Sequence, residues 1–169
     1  MTGTTRRALL FLDVDGPLIP FGGTGYREGP AQQGNEGDSG GNPLLARLDP
    51  GHGARLTALR CDLVWATTWM DDANEYVAPR IGLPDLPVVA WPDPAEEDER
   101  AGLHWKTRTL MRWAAGRSFL WVDDEITPAD RAWVTTHHPA PTLLHRVDPR
   151  TGLTDRDFAA LARWVHDHP

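Results

Sequence analysis

Apolar and polar positions fall in blocks along the chain. "ALLFL" (residues 8–12) is apolar without interruption, the pattern of a short strand buried on both faces. "GARLTALR" (53–60) places Leu56 and Leu59 at helical spacing, and "DLVWATTW" (62–69) reads as a second buried strand ending in hydroxyls. "MDDANEYVAPRIGLP" (70–84) predicts a helix, with Asp71 or Asp72 near its positive end and Gly82 and Pro84 closing it. "LPVVAWP" (86–92) reads as a third strand and "HWKTRTLMRWAAG" (104–116) as a helix ended by Gly116. "SFLWVDDE" (118–125) is a fourth strand, "PADRAWVTTHH" (128–138) a short helix and "PTLLHRV" (141–147) a fifth strand. In the last helix, "TGLTDRDFAALARWVHD" (151–167), Thr154 is the expected N-cap with Asp157 three residues on. Phe158, Leu161, Trp164 and Val165 share one face of it.

Strands alternating with helices predict an α/β, Rossmann-like fold: about five mostly parallel strands with helices on both faces. The segment "PFGGTGYREGPAQQGNEGDSGGNP" (20–43) is dense in Gly, Pro and polar residues, and a loop of that length reads as a flap beside whatever precedes it. The expected organisation is one domain over 1–169, with no room for a large cap. In parallel sheets the ligand crevice lies outside the carboxyl ends of the strands. Strand one ends in Asp13 and Asp15, strand two in Thr67 and Thr68, and strand four in Asp123 and Asp124. Three polar strand ends at one edge make a site.

Composition narrows the choice. The 169 residues suit a single core, and 17 basic against 24 acidic side chains give a net charge of −7. That balance argues against a nucleic-acid coat or a binder of anionic membranes, without excluding a local basic patch such as Arg27, Arg108 and Arg112. The one cysteine, Cys61, has no internal disulfide partner and reads as a packed, inert thiol. The amino-terminal apolar run is short and interrupted at Asp13, unlike a signal peptide or membrane span, so a cytoplasmic location is expected. The acidic run "DPAEEDER" (93–100) reads as a solvated loop.

Carboxylates gathered at one edge repel unless a cation sits among them, and an all-oxygen ligand set with neither Cys nor His points to Mg²⁺. Asp13, Asp15, Asp123 and Asp124 are the candidate ligands. With such an ion the set suits phosphoryl transfer. Asp13 is then the nucleophile, Asp15 the acid and base, Thr67 or Thr68 a donor to the phosphoryl oxygens, and Lys106 a fixed positive charge. A strand-to-turn junction accounts for Gly16 and Pro17, but not for a matching acidic pair after strand four. The tryptophans are mostly core anchors, with Trp69, just past the second strand, the candidate to line the pocket.

Asp13-Val14-Asp15-Gly16, then Thr67, Lys106 and Asp123-Asp124, resemble in order and strand-end placement the four motifs of the haloacid dehalogenase (HAD) superfamily. Lys106 stands 17 positions before Asp123, as 123 less 106, similar to that family's helix-then-strand separation. "LVWATTWMDDAN", "APRIGLP", "HWKT", "LWVDDE" and "DPRTGLT" resemble more closely the compact HAD domain of Swiss-army-knife RNA repair proteins, over nearly the whole chain. The resemblance implies a Mg²⁺-dependent phosphatase acting through an Asp13 phosphoenzyme. It implies a metal held by the Asp13 side chain, the Asp15 carbonyl and Asp124, with Gly16 beside the substrate and Thr67 preferred to Thr68.

The substrate expected is a phosphorylated molecule, large because the site is capless. The alternatives are an end-processing phosphatase of nucleic-acid repair, which the net charge does not favour, and an inactive binding module. A phospho-receiver fails on order, because Lys106 precedes the last acidic pair.

Overall fold

The computed structural model describes residues 6–21, 43–92 and 102–169. Strands β1 (Leu9–Leu12), β2 (Asp62–Trp65), β3 (Phe119–Asp123) and β4 (Thr142–Arg146) form one sheet in the order β2-β1-β3-β4, every neighbouring pair parallel. The helices are α1 (His52–Ala58), α2 (Ala78–Ile81), α3 (Thr107–Ala114), α4 (Pro128–His137) and α5 (Asp155–Asp167).

Strand alternation sorts the apolar residues onto two faces. Leu10, Leu12, Trp65, Leu120 and Val122 pack on one side with Leu56, Ile81, Phe158 and Leu161. Leu9, Phe11, Val64, Phe119 and Trp121 pack on the other with Leu110, Ala114 and Val134. A sheet covered on both sides needs strands that are apolar throughout, which is why β1 and β3 carry almost no polar residue. At α5, the Asp157 carboxylate accepts from the Thr154 amide and hydroxyl at 2.8 and 2.9 Å, and the helix buries Phe158 and Leu161. Each such side chain stabilises the fold by about 1.5–3 kcal/mol.

Two expected elements differ. The third strand over 86–92 is reduced to one bridge, Trp65 to Val88, because Pro87 has no N–H to give a ladder. The sheet therefore has four strands. The helix expected over 70–84 is a π-helical turn, Ala73–Val77, followed by the single turn of α2, which holds Pro79 near its start. Proline lacks the amide that would continue an α-helical ladder from the preceding turn, so the chain widens and restarts. Gly82 closes α2 at φ +80°, as expected. The Gly-rich segment and the acidic run lie outside the described residues, apart from Pro20, Phe21 and Pro43. No helix among the described residues is long and apolar enough to cross a membrane.

Candidate active site at the carboxyl edge of the sheet

Register places the ends of all four strands at one edge: Leu12 pairs with Trp65 and Val122, and Asp123 with Arg146. Asp13 follows β1 directly, and its amide donates to the Val122 carbonyl at 3.1 Å, so the ladder continues to the acid. Asp123 is the last residue of β3 and Asp124 the first beyond it. Oxygens from Asp13, Asp123 and Asp124, all three buried, lie within 4.8 Å of one another.

Lys106 joins two of these acids. It is 3% exposed, and its Nζ donates to Asp123 Oδ2 at 2.8 Å and to the Ala66 carbonyl at 2.9 Å, with Asp13 Oδ1 at 3.3 Å. Burial alone would lower its pKa, but the Asp13 and Asp123 carboxylates outweigh this and hold the ammonium charged. Its closer partner is Asp123, whose Oδ2 also accepts from Trp121 Nε1 at 3.3 Å and whose Oδ1 accepts from the Glu125 amide at 3.0 Å. Asp13 receives the weaker share. Burial pushes its carboxyl up to about 8 against the pull of Lys106, with Asp123 adding to the rise. Burial, then Asp123, likewise raises Asp124 to about 7.

This arrangement tests the fit of a metal. Three buried carboxylates against one ammonium leave two negative charges once all are ionised, and no other described Lys, Arg or His pairs with these three carboxylates. A divalent cation with hard oxygen ligands matches both the charge and the donor type. Asp123 is occupied by Lys106, Trp121 and Glu125, whereas no described donor holds the Asp124 carboxylate. The residues fit Mg²⁺.

Asp15 lies at the rim, half-buried, with Oδ2 accepting from Trp69 Nε1 at 3.1 Å. Trp69, expected to line the pocket, thus orients an acid. Gly16 has φ +101°, and a Cβ there would sit 2.7 Å from Asp124 Cγ, so only glycine fits against that carboxylate. The two hydroxyls separate: Thr67 is fully buried, its Oγ1 accepting from the Trp69 amide at 3.2 Å, while Thr68 is exposed.

Several residues were missed in the sequence. Asp130, fully buried, accepts from the His104 amide at 2.8 Å, the Thr107 hydroxyl at 2.8 Å and the Thr127 amide at 2.9 Å. It ties the segment carrying Lys106 to the start of α4; the only signal was the capping spacing Thr127 to Asp130. The Lys106 amide donates to His104 Nδ1 at 3.2 Å, which leaves the ring proton on Nε2 to meet Glu125 Oε2 at 2.7 Å. Trp91 Nε1 donates to the Thr67 carbonyl at 3.0 Å, bracing the second strand end. Arg146 Nε donates to the Asp124 carbonyl at 3.1 Å. Of the arginines considered earlier, Arg108 lies over the Trp133 ring and Arg27 is outside the described residues. Cys61 is half-buried at the opposite edge, just before β2, with burial raising its thiol to about 11, so it has no nucleophilic role.

A protein-family model described as the HAD domain in Swiss Army Knife RNA repair proteins matches residues 9–158. Neither curated proteins nor solved structures give a match to the chain.

Proposed function

The chain belongs to this family of haloacid dehalogenase domains, and from that premise we propose that it is a Mg²⁺-dependent phosphoric monoester hydrolase with Asp13 as its nucleophile. The observation that carries the reading is the convergence of Asp13, Asp123 and Asp124 within 4.8 Å, with Lys106 bridging Asp13 and Asp123.

An Asp13 carboxylate oxygen attacks phosphorus while the bond from phosphorus to the ester oxygen breaks. Asp15 gives its proton to the departing oxygen, with Trp69 fixing Oδ2 and leaving Oδ1 for the transfer. Asp15 then takes a proton from water as the water oxygen attacks the aspartyl-phosphate, and the Asp13–phosphorus bond breaks to release inorganic phosphate. Lys106 holds Asp13 in position and opposes the charge on the phosphoryl oxygens, and the Thr67 hydroxyl donates to them. Asp13, Asp124 and the Asp15 carbonyl would hold Mg²⁺, which supplies charge neutralisation to the phosphoryl group. Asp123 serves as the anchor of Lys106. An acid at the Asp15 position suits an oxygen leaving group, which needs a proton, better than a halide, which does not.

A second reading, the same chemistry on a nucleic-acid end, is favoured by the half-buried Trp69, Trp91 and Trp105, on which bases can stack. The experiment for the main reading follows phosphate release from an aryl phosphate by chelator-stripped protein, with and without added Mg²⁺, beside Asp13→Asn. Release that requires Mg²⁺ and vanishes in the variant is expected. Release that survives Asp13→Asn, or none from a broad phosphomonoester panel with metal present, overturns it. A 3′-phosphorylated oligonucleotide preferred to mononucleotides selects the second reading.

A further inference from the structure

We propose that the cavity at the carboxyl end of β4 is a second anion subsite, selecting substrates that carry a further phosphate beside the one hydrolysed. It rests on the phosphatase reading for which phosphate is cleaved, but not for binding. The cavity is about 480 Å³, and among the described residues Arg146, Asp148, Pro149 and Arg150 line it. That volume lies within the range of small-molecule sites.

Its position ties it to the acidic trio. Arg146 pairs in register with Asp123, and its Nε is bound to the carbonyl of Asp124. The loop that follows is clamped to the turn carrying Asp15. The Val147 amide donates to the Asp123 carbonyl at 3.0 Å, Leu153 to the Pro17 carbonyl at 2.8 Å, and Phe21 to the Pro149 carbonyl at 2.6 Å. Gly152, at φ +67°, lets the two loops close: a Cβ there would lie 2.9 Å from the Pro17 oxygen. The cavity wall and the nucleophile's loop are thus one body.

The charge suits an anion. Asp148 does not cancel the arginines, because its carboxylate is engaged in orienting one of them. Oδ1 accepts from the Arg150 amide at 2.9 Å and Nε at 3.1 Å, and Oδ2 from Nη2 at 2.9 Å. Two guanidinium groups against one carboxylate leave one positive charge, and among the described residues both Nη atoms of Arg146 and Nη1 of Arg150 have no partner. Planar guanidinium groups match phosphate oxygens in pairs. In a chain of net charge −7, an acidic centre repels a polyanionic substrate. Two arginines beside it offset that repulsion for a phosphate bound on this side.

The test measures binding by calorimetry on full-length Asp13→Asn with Mg²⁺, where turnover does not intervene. Probes are adenosine 3′,5′-bisphosphate against the two adenosine monophosphates, and fructose 1,6-bisphosphate against fructose 6-phosphate. At least one bisphosphate should bind tenfold or more tighter than its monophosphate. Adding Arg146→Met with Arg150→Met should bring the two within twofold. A preference in the adenosine pair alone assigns the second phosphate to a nucleotide, and one in both pairs shows that the phosphate suffices; either supports the subsite. Equal affinities in both pairs, or a preference that persists without the arginines, overturns it. Arg150 is exposed and its described side-chain bonds go only to Asp148, so Arg150→Ala alone, expected to cut the preference about threefold, keeps the test open if the double variant misfolds. A preference in this variant beside an inactive wild type removes the phosphatase reading and keeps the subsite. Activity without a preference does the reverse.

Discussion

Gly16→Ala tests how tightly the turn after β1 is fitted to the acid after β3. Two effects follow from the structure. Alanine at φ +101° occupies backbone space that side chains rarely adopt, at about 1–3 kcal/mol. The new Cβ would also stand 2.7 Å from Asp124 Cγ, 2.8 Å from its Cβ and 2.9 Å from Oδ1. Ordinary contact begins near 3.4 Å, so Asp124 must retreat by roughly 0.7 Å, the difference of the two distances. Mg²⁺ ligands sit at about 2.0–2.1 Å in near-octahedral array, so that shift is about a third of a bond length.

The expected outcome is a Mg²⁺ affinity lowered at least ~10-fold, about 1.4 kcal/mol, and a melting temperature lowered by roughly 3–10 °C. Gly82→Ala is the control, because Gly82 also has positive φ (+80°) but nothing lies within 4 Å of its added Cβ. It should lose stability through backbone strain and leave Mg²⁺ binding unchanged. Titration calorimetry with Mg²⁺ and thermal melts of both variants decide the matter. Unchanged Mg²⁺ affinity in Gly16→Ala, or the same loss in Gly82→Ala, refutes the fitted contact.

Four further outcomes are expected. Metal-free protein should lose stability as the pH rises from about 4 through about 8. The folded state holds protons on Asp13 and Asp124 in that window more tightly than the unfolded chain does, so deprotonation favours unfolding. Melts across that range should fall, and saturating Mg²⁺ should flatten them; a flat metal-free profile counts against uncompensated burial. Asp13→Asn should abolish turnover by at least ~10³-fold yet melt higher than wild type in chelator at pH 8, because a neutral amide replaces the buried acid. Trp69→Phe should lower kcat more than KM and shift the pH–rate profile, since it frees Asp15 Oδ2; an unchanged profile removes Trp69 from that role. Asp124→Asn should weaken Mg²⁺ binding with little loss of stability, and Asp123→Asn should do the opposite by about 3–5 kcal/mol, since it removes one partner of the buried Lys106 pair; identical effects from both, in calorimetry and urea melts, contradict the division.

Much of the sheet was legible because both-face burial forces uninterrupted apolar runs, which "LLFL" and "FLWV" display. The site's order along the chain was legible for a related reason: in a parallel sheet the residue after each strand arrives at one edge, so Asp13, Thr67 and Asp123 met as expected. The third strand misled because "LPVVAWP" has strand composition, while Pro87 removes the donor that pairing needs. Pro79 similarly interrupts a segment whose helical pattern is otherwise sound. Asp130 and Arg146 escaped notice because their local sequence describes only a cap and a strand end. Their contacts to the Lys106 segment and to Asp124 depend on packing between elements distant in sequence.

The acidic pair ending β3 shows why two neighbouring carboxylates need not share one task. Successive side chains of a strand point to opposite faces. Asp123 therefore turns to the side of Trp121, where α3 follows Lys106, and is held there by Lys106 Nζ and Trp121 Nε1. Asp124, one residue on, meets Gly16 and the β1 turn instead. Were Asp123 alone present, Lys106 would be balanced and the centre would gain no net negative charge from β3. Were Asp124 alone present, the ammonium would lie nearest Asp13 and satisfy it, leaving less charge to draw a cation. With both, Lys106 is bound mainly by Asp123 at 2.8 Å rather than by Asp13 at 3.3 Å. The carboxyl at the end of β1 then keeps a pKa near 8. A group held so far above its ordinary range ionises when a divalent cation arrives, which couples metal binding to the appearance of the nucleophile.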